Sequence, residues 1–235
     1  QSDVVGVAIG NAGSLTGTIV LGLTSKAAAA GLTDLALASK SVAVTGAAYD
    51  LAKADLSTTT LTLGNVRVAD VATVDVTNTV ITNALYQDKL DVVASGTNAN
   101  LTVTSPARVA AGTTGQIGVT AAKAGVLADT VSVGLTSNAN GVAGLTGQAL
   151  AGGSVAITGA VYDLANAAVA PALAFGNVRT GTVRTVGVSN ATITDSAFQD
   201  SLDVAATTTN ANLALTNPGR IMAGAADTLA VRAAT

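Results

Sequence analysis

Residues 61–78 read LTLGNVRVADVATVDVTN, and residues 173–190 read LAFGNVRTGTVRTVGVSN. Gly64-Asn65-Val66-Arg67 and Gly176-Asn177-Val178-Arg179 lie 112 residues apart. The same spacing runs outward in both directions. Asn78 returns as Asn190, Gln87-Asp88 as Gln199-Asp200, Leu90-Asp91-Val92 as Leu202-Asp203-Val204, and Pro106 as Pro218. TNANL at 97–101 returns at 209–213, and Ile117 aligns with Leu229. Toward the start, Val5-Gly6-Val7 precedes Ile117-Gly118-Val119 by one period, and Leu21–Ser25 precedes Val133–Ser137. Tyr49-Asp50-Leu51-Ala52 recurs as Tyr162-Asp163-Leu164-Ala165. Self-similarity at a fixed period is the mark of a repeat architecture. The chain amounts to two periods plus a strand-sized overlap.

Composition says what each repeat is made of. The 235 residues include no His, Cys or Trp, and all 14 acidic residues are Asp. Ala, Val, Thr, Gly, Leu and Asn dominate; Val and Thr suit a pleated surface, Asn and Gly suit turns. This is an all-β composition. The net charge of −3 gives no basic footprint for nucleic acid. No apolar run is long enough to span a bilayer, so membrane insertion is not expected. Gln1 in place of Met suggests a processed product or an excised piece. Abundant small residues and few charges fit an exported protein.

Apolar residues alternate in short runs: Val5, Val7, Ile9; Ile19, Leu21, Leu23; Leu61, Leu63; Val74, Val76; Leu90, Val92; Leu101, Val103. Period two predicts strands, and Gly, Asn, Asp, Ser or Pro bounds each run. About seven strands per repeat is the spacing of an immunoglobulin-type β-sandwich. The Cys…Trp…Cys hallmark is missing, so the core must be aliphatic.

Phe175-Gly176-Asn177-Val178, with Leu63 replacing the Phe in the other copy, and the V-x-N endings at Asn78 and Asn190 resemble the bacterial choice-of-anchor D repeat. That family is related to the Hydin-type (ASH) immunoglobulin-like domains. The resemblance implies tandem β-sandwiches in large exported proteins, an F-G-x-V first strand, and no catalytic residues. One complete domain is then expected over 49–161, with the last three strands of another at 1–48 and the first five of a third at 162–235. Tyr49 and Tyr162 fall at the junctions and are expected to wedge neighbouring domains.

Chemistry is sparse. Without His or Cys, the usual nucleophile–base pairs and imidazole or thiolate metal sites are excluded, and no cofactor is expected. Asp88, Asp91, Asp200 and Asp203 read as surface or turn carboxylates, with a weak Ca²⁺ site as the alternative. Asn98, Asn100, Asn210 and Asn212 read as turn formers. Asn100-Leu101-Thr102 and Asn190-Ala191-Thr192 match the glycosylation acceptor pattern. Arg67, Arg108, Arg179 and Arg220 recur in register and are expected to pack or form salt bridges within each unit. Gly64-Asn65 lacks the Gly-Lys of a phosphate loop. Residues 26–40, KAAAAGLTDLALASK, have helical flavour but read as a surface loop.

The partial domains carry the functional expectation. A sandwich ending near Leu229 and Val231 lacks two strands, and their equivalents are the runs holding Ile19, Leu21, Leu23, Val42 and Val44. At roughly 1.5–3 kcal/mol per buried aliphatic side chain, those five represent about 8–15 kcal/mol gross, the size of a whole domain's net stability. Residues 5–11 and 229–235 compete for one slot. The expectation is a non-enzymatic extracellular or cell-surface structural protein of bacteria. It would self-associate head to tail into a filament, sheath or layer; the stalk of a surface adhesin is the alternative.

Overall fold

A computed structural model describes residues 4–234. Gln1 and Thr235, where the expected processing and the end of the last strand fall, lie outside the described residues. The chain is all-β, with several open sheets and, among the described residues, two short 3-10 turns, at Ala84–Tyr86 and Ser196–Phe198. In chain order the strands are β1 (Gly13–Ser14), β2 (Gly17–Ser25), β3 (Leu35–Val44), β4 (Ala47–Ala48), β5 (Ala54–Leu56), β6 (Thr60–Arg67), β7 (Val71–Asn78), β8 (Lys89–Ser95) and β9 (Leu101–Thr104). They continue with β10 (Thr114–Ala121), β11 (Gly125–Asn138), β12 (Gln148–Ala149), β13 (Gly153–Tyr162), β14 (Ala167–Val169), β15 (Val183–Asn190), β16 (Leu213–Thr216) and β17 (Ala226–Ala233).

Two sheets share the main core. One runs β5-β7-β10-β9. The other is built on the long β11, which pairs antiparallel with β8 and β13, while β13 pairs in parallel with β6. Val74, Val76, Ile117 and Val119 from the first sheet meet Leu90, Val92, Val131, Val133, Val155 and Ile157 from the second. Alternation along each strand turns these side chains to one face, and the core is wholly aliphatic. Gly159 is the close point between β13 and β6: it has φ +153°, and a Cβ there would stand 2.5 Å from the Gly64 carbonyl oxygen. The ladder shifts register at that position; opposite it Gly64 has φ +65°, and that left-handed backbone is why the Gly-Asn-Val-Arg stretch needs its glycine.

A second four-stranded sheet, β14-β15-β17-β16, repeats the first in order and pairing. Before the main core, β2 and β3 form an antiparallel hairpin continued by β1 and β4. It repeats the register of β11 and β13: Val131 pairs with Val155, and Ile19 with Val42.

Three segments expected as strands are not strands. Residues 173–178, containing Phe175-Gly176-Asn177-Val178, are irregular; so is 202–204, apart from a single bridge between Leu202 and Ile221. Residues 4–12, with Val5, Val7 and Ile9, have no strand either. The 162–235 segment therefore carries four strands, not five. The reason is hydrogen-bond partnership. The counterparts of 173–178 and 202–204 are β6 and β8, whose ladders are with β13 and β11, and among the described residues no strand follows β17 to take either part. The slot for residues 5–11 is already filled by β17.

Candidate self-assembly interface

In the main core Val131, Val133, Val155 and Ile157 are fully buried and Leu135 is 8% exposed. Their counterparts on the hairpin are not. Ile19, Leu21 and Val44 are only half-buried, Leu23 is 39% exposed and Val42 48%. Residues 22–43 are exposed throughout. The tip, residues 26–34, is the expected loop, closed by Lys26 on Asp34 at 2.5 Å and by the Ala27 amide donating to Asp34 at 2.9 Å. Residues 35–40, expected in that loop, instead extend β3, because β2 offers them a ladder.

The C-terminal sheet has the complementary deficit. Its inner-facing Val186 and Leu229 are half-buried, whereas their equivalents Val74 and Ile117 are 1% exposed. Val188 and Val231 remain buried. Leu202 and Val204, equivalent to buried Leu90 and Val92, are half-buried. Thus β17, with Leu229 and Val231, occupies the slot it shares by sequence with residues 5–11, while Val5, Val7 and Ile9 stand exposed.

Tyr49 and Tyr162 have matching surroundings. Tyr49 packs on Tyr86 with ring centroids 5.7 Å apart, and Tyr162 on Phe198 at the same distance. The Val68 amide donates to the Tyr162 carbonyl at 3.2 Å. Arg67 does not pair inside its own unit as expected; it reaches Asp200, 133 residues on, at 2.7 Å. Asp88 is not a surface carboxylate. It is buried, accepts a hydrogen bond from Ser137 Oγ at 2.7 Å, and leaves its Oδ1 buried without a partner.

Arg108 and Arg220 do pair within their units, each gripping one carboxylate with two nitrogens: Asp91 at 2.6 and 3.1 Å, Asp203 at 3.0 and 3.1 Å. Each arginine holds its aspartate's carboxyl below the usual carboxylate range. The turn asparagines behave as read: the Asn100 amide donates to Asn98 Oδ1 at 2.8 Å, and the Asn212 amide to Asn210 Oδ1 at 3.0 Å. Asn190, the second matched glycosylation acceptor, is buried and committed to hydrogen bonds. Among the described residues no group of three His, Cys, Asp or Glu side chains is placed to hold a metal. No helix there is long and apolar enough to cross a membrane.

In the sequence Gln87 stands out only as a matched letter, and Asn78 as a matched letter closing a V-x-N segment. Both are buried. Asn78 Oδ1 accepts from the Lys53 amide and from Gln87 Nε2, both at 3.0 Å, and its Nδ2 donates to the Asp88 and Val109 carbonyls. Asn190 and Gln199 repeat this latch bond for bond. The signal was available: a polar residue ending an apolar alternating strand, retained in both copies.

Fold and site together define an all-β protein with one filled two-sheet core, an unpaired hairpin and an incompletely covered sheet. No family model matches the chain, and no curated protein matches it. Among solved structures it is similar to the S-layer protein rSbsC, at 14% identity and a TM-score of 0.29, over 93% of this chain. The chain spans about a quarter of that protein's length, 25%. At that score the likeness defines neither fold nor function.

Proposed function

We propose that this chain is a non-enzymatic structural protein of the bacterial cell surface, whose tandem immunoglobulin-like units join end to end into a filament, sheath or layer. The β2–β3 hairpin of one copy closes the C-terminal sheet of the next. One observation carries the reading: the strands that fail to form at 172–179 and 201–207 are those whose partners the hairpin duplicates.

The repeat fixes the register of that closure. Leu135 pairs with Val92 in the main core, so Leu23 pairs with Val204. Ile157 pairs with Leu61, so Val44 pairs in parallel with Leu173. Gly46 has φ +155°, close to +153° at Gly159, and Gly176 has φ +63°, close to +65° at Gly64. At Gly46 and Gly176 the backbone already holds the shape of the paired form, which lowers the ordering cost of association. A head-to-tail contact of this kind is heterologous, and it builds an open filament wherever its rotation does not bring the copies round into a ring.

Negative-stain microscopy of native material, with intact-mass analysis of its subunit, tests the proposal. Regular filaments are expected, with one hairpin-to-sheet closure between each subunit and the next. A much larger subunit carrying further repeats would contradict closure between copies and support a continuous adhesin stalk.

A further inference from the structure

Asp88 and Asp200 occupy the same place in successive units, yet each has half of a set of partners. Asp88 receives Ser137 Oγ at 2.7 Å, and that oxygen accepts the Ala52 amide at 2.8 Å. Its other oxygen is buried and unpartnered. Asp200 receives Arg67 from the preceding unit at 2.7 Å. Among the described residues no counterpart of Ser137 reaches it.

The missing halves exist elsewhere on the chain. Arg179 matches Arg67; it is exposed and has no ion-pair partner among the described residues. The turn that positions it is already formed, since the Thr182 amide donates to the Arg179 carbonyl at 3.2 Å, as Asp70 does to Arg67 at 3.1 Å. Ser25 matches Ser137 and ends β2, exposed.

We propose that these groups form a polar lock between copies: Arg179 of one copy pairs with Asp88 of the next, and Ser25 of that next copy donates to Asp200 of the first. The lock rests on the closure proposed above and adds to it a means of choosing register. Aliphatic faces tolerate sliding by two residues, whereas a buried carboxylate oxygen left without a donor penalises every register but one.

Concentration-dependent light scattering of the full chain tests the lock. Wild-type chain is expected to associate. Arg179→Ala and Asp88→Asn are each expected to raise the apparent dissociation constant about tenfold or more, and the double variant no further, because both remove one interaction. Arg179→Asp, placing two carboxylates together, is expected to weaken association still more, while dilute Arg179→Ala melts like wild type. Wild-type chain that stays monomeric at every concentration overturns the closure itself. Association of the wild type with both single variants unchanged, or with effects that multiply in the double, overturns the lock and leaves the closure standing.

Discussion

Asn78 is a buried amide whose four hydrogen bonds tie β7 to the turn that follows β4, to the approach of β8 and to Val109. Replacing it with Ala strips partners from several buried groups at once, each worth about 1–3 kcal/mol. Asn78→Ala is expected to destabilise the main core by about 3–5 kcal/mol in a denaturant titration. Acid acts on different residues. Asp91 and Asp203 are held below the ordinary carboxylate range by Arg108 and Arg220, so their contribution is fully present above about pH 4. It is lost as pH falls through their lowered folded values. Stability measured from pH 5 downward should decline, and Arg108→Ala should flatten that decline. At this scale the turn asparagines and the Arg108 and Arg220 pairs were legible, because each partner lies nearby in the repeat. The role of Arg67 was not, since a matched residue gives no sign of whether its partner sits in its own unit or the following one.

Strands succeed or fail here by partnership rather than by pattern. Residues 61–67 and 173–179 carry the same alternation and the same Gly-Asn-Val-Arg, yet only the first is a strand, because only it has β13 beside it. Alternation therefore located β6, β7, β8 and β9 but overstated the ends of the chain, where the ladder partner is absent. The Gly64–Gly159 approach makes a sharp prediction. Gly159→Ala would place a methyl against the Gly64 carbonyl oxygen at a positive φ, costing about 1–3 kcal/mol or more in thermal unfolding. On the hairpin the expectation reverses. Val42 is 48% exposed, so Val42→Asp should leave the isolated chain's unfolding within about 0.5 kcal/mol of wild type. It should abolish association seen by sedimentation velocity, because it places a charge where Val155 is buried in the equivalent core.

Across the whole molecule, the repeat period was readable from the letters and the main core was readable from the period. What covers the C-terminal sheet was readable only as a deficit. Sequence shows which strands are duplicated; it does not show which copy of a strand takes a contested place. The structure gives that place to β17 and leaves Val5, Val7 and Ile9 exposed. In the closure proposed above, the exposed hairpin and the incompletely covered sheet are open edges of the kind that pair with another chain unless blocked. On that proposal, their matched glycine conformations and matched registers are what would make the pairing specific. Absolute molar mass by light scattering across a wide concentration series tests this claim most directly. The account predicts a ladder of species in steps of 22.6 kDa that lengthens with concentration. A folded chain that stays at 22.6 kDa throughout would contradict it.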